Sequence, residues 1–118
     1  MEKYSWVEEF PGSVIVCDPD GIILEMNEKA VTVFQKRGGK QLLGSNLLDC
    51  HSEPARVKLK QLMEERRTNI YTIEKKGVKK LIYQTPWHVN HEYRGFVEIV
   101  IEIPASIPHF IREANTST

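Results

Sequence analysis

Apolar positions recur along the chain with two periods, and the switches between them mark its elements. Residues 1–10 read as a short helix: Trp6 and Phe10 are four apart and share a face, Val7 lies beside them, and Pro11-Gly12 ends the segment. Ser13-Val14-Ile15-Val16-Cys17 reads as a strand, and 22–26 as the returning strand of a hairpin. Between them Asp18-Pro19-Asp20-Gly21 is a turn, in which Pro fixes φ and Gly allows a positive φ. Asn27 then caps a helix carrying Ala30, Val31 and Phe34, and residues 36–40, with Gly38-Gly39 inside them, break it. Residues 41–44 and 45–50 read as short helical turns joined at Gly44. Ser52 is expected to cap the next helix, with Pro54 in its first turn. That helix runs to about Arg67, and its Ala55, Leu59, Leu62 and Met63 make one buried face.

The remainder alternates with the period of strands. Segments 69–75 and 79–89 are joined by a turn around Gly77, and Leu81, Tyr83, Thr85, Trp87 and Val89 line one face of the second. Residues 90–94 turn the chain again at Gly95, and 96–103 form the last strand. There Val97, Ile99, Ile101 and Ile103 share a face opposite Glu98 and Glu102. The more apolar set is assigned to the interior, which leaves Phe96 and Val100 on the outer face. The expected organisation is an N-terminal helical segment (1–12), one domain (13–104) and a flexible C-terminal tail (105–118). Two strands, a block of helices and three strands give an α+β domain, a five-stranded antiparallel sheet with helices on one face. A single block of helices must pack across the sheet and leaves a space between the layers.

Composition narrows the partners. At 118 residues the chain is one domain, long enough to bury about two-thirds of its unfolded surface without metal or disulfide staples. Sixteen basic side chains balance sixteen acidic ones, so net charge gives no footprint for nucleic acid or an anionic membrane. Apolar runs such as 22–24 and 99–101 are far too short to span a bilayer. Glu2, Lys3, Glu8 and Glu9 stand where an export signal needs an apolar stretch, so a cytoplasmic location is expected. Cys17 and Cys50 then read as free thiols, and no CxxC is present. Nine Lys or Arg against three Glu between Arg56 and Lys80 read as a solvated edge that resists strand-to-strand pairing, with a surface for an acidic partner or nucleotide as the alternative.

The stretch Asp18-Pro19-Asp20-Gly21-Ile22-Ile23-Leu24-Glu25-Met26-Asn27-Glu28-Lys29-Ala30 resembles the hairpin and first helix of a PAS domain. Leu43-Gly44-Ser45-Asn46-Leu47-Leu48-Asp49 is similar to the turn before that family's long helix. Tyr93-Arg94-Gly95-Phe96-Val97-Glu98 with Glu102-Ile103 is similar to the end of its last strands, so the resemblance spans roughly residues 10–104. It implies a PAS-like sheet of strand order 2-1-5-4-3. It also implies a sensory, signal-transducing and dimerising module that binds a small ligand or a partner protein, and not an enzyme. The Asp49-Cys50-His51 turn resembles PAS modules of bacterial and archaeal sensors, hence a prokaryotic source.

Candidate chemistry follows from position. The photoactive flavin branch of the family has a cysteine where this chain has Leu47, and Cys50 comes three residues later, so the resemblance argues against flavin–thiol chemistry. The alternative function is a haem-based redox or gas sensor: His51, beside the expected pocket, offers an axial imidazole, and Cys50 a thiolate. The competing reading makes His51 a turn or cap residue. His88, His91 and His109 are expected in solvent. Phe34, Leu47, Leu59, Met63, Tyr83, Ile99 and Ile101 join Cys50 and His51 as the expected pocket lining. An isomerase-like enzyme would need a buried carboxylate base, for which Asp49 is the candidate. No G-x-S-x-G, H-E-x-x-H or P-loop is present. Trp6 and Phe10, together with Phe96 and Val100 on the outer face, are expected to form a two-fold homodimer interface.

Overall fold

The structure, a computed structural model, describes residues 5–114. The start of the expected N-terminal helix and the end of the expected flexible tail lie outside the described residues. Strands β1 (Ser13–Cys17) and β2 (Ile23–Met26) lead to helix α1 (Glu28–Val33). Three 3-10 turns follow, Gln35–Arg37, Gly39–Leu42 and Leu47–Cys50, and then helix α2 (Ala55–Glu65). Strands β3 (Asn69–Lys75), β4 (Val78–Val89) and β5 (Glu92–Ile103) complete one antiparallel sheet of order β2-β1-β5-β4-β3. Ile15, Cys17 and Phe96 from the sheet meet Ala30, Leu47, Leu59 and Leu62 from the roof to form the core.

Local chemistry explains the joints. Asp18 Oδ1 accepts from the backbone N–H of Asp20 and of Ile22, both at 2.9 Å, and so closes the β1–β2 turn. Asn27 is the hub of the first half. Its Oδ1 accepts from Ala30 N (3.0 Å), capping α1, and from Val14 N (2.9 Å). Its Nδ2 donates to Val7 O (2.9 Å) and Gly12 O (2.8 Å), so one buried side chain ties the N-terminal segment, β1 and α1 together.

Three local expectations change. Residues 6–9 form a turn rather than a helix, with Glu8 N donating to Ser5 O and Phe10 N to Val7 O. One turn before Pro11 is too short to repay helix nucleation. Trp6 and Phe10 still meet edge to face, 5.7 Å between ring centroids. Ser52 supplies its carbonyl, not its side chain, to the start of α2: Arg56 N donates to Ser52 O at 3.0 Å, and the cap position falls on Pro54. The last hairpin turns at Asn90-His91, with φ of 50° and 67°, the left-handed pair of a tight two-residue turn that Asn tolerates. Gly95 therefore lies inside β5, at φ 135°. A Cβ there would fall 1.9 Å from the Cys17 carbonyl oxygen, so glycine is what lets β1 close over β5.

The largest correction is to the faces of the sheet. Directly paired residues share a face, and the register sets Cys17 against Phe96, Ile15 against Glu98 and Ser13 against Val100. Phe96 (1% exposed) and Glu98 (4%) are thus beneath the roof, and Val100 shares their face. Ile99 and Ile101 pair with Tyr83 and Leu81 on the opposite, outer face, where Tyr83 is 37% exposed. The outer face of β5 carries Val97, Ile99, Ile101 and Ile103 while Glu98 and Glu102 interrupt its inner face, so counting apolar residues chose the wrong one. Neither Phe96 nor Val100 belongs to an outer surface, and Tyr83, Ile99 and Ile101 do not line the interior.

Candidate functional site

A cleft of about 430 Å³ opens between the first turn of α2 and the β3–β4 edge of the sheet. Leu59, Ala55 and Pro54 form its roof side, with Lys58 at the rim, and Tyr71, Asn69 and Gln84 form the sheet side. The sheet side is positioned by register: Asn69 pairs with Gln84, and Gln84 with Glu98, so three polar side chains stand in a row across β3, β4 and β5.

They are joined. Asn69 Nδ2 donates to Gln84 Oε1 (3.1 Å), and Gln84 Nε2 donates to Glu98 Oε2 (2.7 Å). The same carboxylate oxygen lies 3.2 Å from His51 Nε2, while His51 Nδ1 lies 3.0 Å from the Leu47 carbonyl. The chain of contacts therefore runs from the cleft, under the roof, to the turn that precedes α2. Burial draws the His51 pKa down, but the hydrogen bond and charge of Glu98, with the Leu47 carbonyl, outweigh it and leave it above the ordinary 6.5; Arg37 opposes. Burial, then the charge of Glu98, pushes the Tyr71 phenol up. Burial pushes the Cys50 thiol up against the pull of Arg37, and the buried Cys17 thiol is pushed up to about 11.

A family model described as the PAS fold matches residues 2–96. The chain belongs to the PAS family. A search of curated proteins finds no match. Among solved structures, the PAS chain resembles the Aer2 receptor from Vibrio cholerae, described as a dual PAS-haem oxygen sensor, at 16% identity and a TM-score of 0.61, covering 79% of this chain and 95% of that one. It resembles a C-terminal domain from Streptococcus mutans at 18% identity and a TM-score of 0.66, covering 81% and 78%. The PAS domain of BvgS from Bordetella pertussis matches at 15% identity and a TM-score of 0.64, covering 83% and 81%. These likenesses establish the shared fold.

Of the expected lining of this PAS pocket, Leu59 alone faces the cleft. Leu47, Cys50 and Met63 are core, and the partly buried Phe34 packs against that core. His51 backs the cleft through Glu98 and Gln84. Asp49 is exposed, and the buried carboxylate is Glu98, so the base expected at Asp49 is not enclosed. His88, His91 and His109 are exposed. Sequence reasoning missed Asn69, Tyr71, Gln84 and Glu98. The available signal was a glutamine and a glutamate interrupting two apolar strands at positions that pair.

His51 does not fit a haem ligand in this arrangement. Its contact to Leu47 is of the kind that orients a ligating imidazole, but Glu98 occupies the other nitrogen, the one left to meet iron. Cys50 is buried with a raised pKa, which disfavours the thiolate. Among the described residues no group of three or more metal-ligating side chains gathers, and no helix is long and apolar enough to cross a membrane.

Proposed function

We propose that this PAS domain is a cytoplasmic sensory module whose cleft between α2 and β3–β4 takes a small, largely apolar ligand, or a matching side chain of a signalling protein. The observation that carries this reading is an apolar cleft with a hydrogen-bonded polar floor, Asn69 and Gln84, backed by Glu98. Apolar walls supply affinity and a few placed polar groups fix orientation, the usual division of labour in a ligand site. A ligand that favours one packing of α2 on the sheet shifts the population of packings, and that shift is the signal. The output surface is the outer face of the sheet, where Val16, Leu81, Tyr83, Val97, Ile99 and Ile101 are partly exposed, together with Trp6, which is 71% exposed. Such a surface pairs with a second copy of the chain.

The test is mass spectrometry of small molecules extracted from natively purified protein, alongside Ala55→Trp. Ala55 is exposed at the cleft mouth, so the indole fills the space without entering the core. The wild type is expected to retain a compound that the variant loses, and the two are expected to melt at the same temperature once the wild type has been stripped of that compound. Equal retention by both refutes the reading. So does retention by neither, combined with no thermal shift across a library of small apolar compounds.

A further inference from the structure

His51 lies between the roof and the sheet and touches both. Both of its ring nitrogens face acceptors, the Leu47 carbonyl at 3.0 Å and the Glu98 carboxylate at 3.2 Å. A neutral imidazole has one N–H and one lone pair, so it satisfies one of these and turns a lone pair toward the other. Both contacts exist together only when the pair carries one extra proton, whichever partner holds it. Leu47 belongs to the turn before α2 and Glu98 to the centre of β5, so the pair spans the two layers. Glu98 also accepts from Gln84, which lines the cleft.

We infer that His51 and Glu98 form a proton-operated latch between the roof and the sheet: the protonated pair holds the Leu47–His51 segment against β5, and loss of the proton to solvent releases it. Insofar as the cleft is the ligand site, which rests on the reading above, release also frees Gln84 and changes the polar floor.

The charged and titratable groups around the pair leave it in control. From the 3-10 turn after α1, the Arg37 guanidinium donates to Cys50 O at 2.6 Å and opposes a charge on His51. From α2, Arg56 Nε donates to the His51 carbonyl at 3.3 Å. Cys50 beside His51, Cys17 on β1 and Tyr71 on β3 all feel the Glu98 charge, and each has its pKa pushed up, so all three stay neutral in the range where the latch works. The Asp49 carboxylate, exposed, acts on Cys50. The sign follows from the raised imidazole: the latch is fully closed below the ordinary 6.5 and opens as pH rises through the higher folded value.

The experiment is an NMR titration of the His51 ring with no ligand added, together with hydrogen exchange of residues 47–56 across the same pH range, corrected for intrinsic exchange rates. The expected results are a His51 midpoint above 6.5, loss of protection in 47–56 with that same midpoint, and a shift of the Gln84 side-chain amide that tracks both. In Glu98→Gln the midpoint falls and protection becomes independent of pH. Should that variant fail to fold, the wild-type coincidence of midpoints decides the matter alone. A wild-type midpoint at or below 6.5, or protection that ignores the His51 titration, overturns the latch. Because no ligand is involved, that failure leaves the cleft standing, and failure of the Ala55→Trp test leaves the latch standing.

Discussion

Replacing Asn27 by Ala removes four hydrogen bonds through one side chain that is 3% exposed. Two of the orphaned groups, Val14 N and Gly12 O, belong to buried residues at the entrance to β1. Each buried group left without a partner costs about 1–3 kcal/mol. Loss of the α1 cap at Ala30 N costs about 1 kcal/mol more. Val7 O, nearer the surface, recovers a water and contributes little. With partial relaxation, the expected loss is about 3–5 kcal/mol, a large share of the 5–15 kcal/mol that holds a typical domain folded. In a domain of this size that lowers the melting temperature by about 12–20 °C. Asn27→Asp separates the contributions: it retains both accepting contacts and sets oxygen against the Val7 and Gly12 carbonyls, so it too is destabilised. Urea titration of the three proteins measures the losses. Both variants within about 1 kcal/mol of wild type would refute the view that Asn27 joins the N-terminal segment to the fold.

Two further outcomes follow from the sheet. Gly95→Ala puts a methyl group 1.9 Å from the Cys17 carbonyl oxygen at a φ of 135°, so β1 must separate from β5; the variant is expected to unfold at markedly lower denaturant, and a midpoint equal to wild type would contradict the close approach. Phe96→Ala empties the core and is expected to cost about 3–5 kcal/mol by urea titration, whereas Ile99→Glu is expected to leave the monomer folded and, on the proposed pairing of outer faces, to be a monomer by light scattering where the wild type is a dimer. The reverse pattern would mean that the faces are exchanged.

The strands and the roof were legible because turn chemistry marks them: Asp18 to Gly21, Asn27 and Gly77 each stand where the chain reverses or a helix starts. The order of the strands followed from the resemblance to PAS domains. The sheet faces were not. β5 carries Val97, Ile99 and Ile101 outward and Glu98 inward, so the apolar rule pointed away from the core at the strand that bears the site. A buried glutamate is favourable only because His51 and Gln84 are there to meet it, and His51 is 47 residues away in sequence. Alternation along one strand carries no information about that partner. Departures from local rules concentrate where a fold hosts polar groups for a purpose.

Glu98 has Val97 and Ile99 as its immediate neighbours in the chain. Rigid peptide planes join the three, and successive side chains leave a strand on opposite sides. On the function proposed above, a message from interior to exterior would have no distance to travel through packed side chains: a pull on Glu98 would move the peptide units that also carry Val97 and Ile99, and two copies resting on one another would register the event through a single backbone.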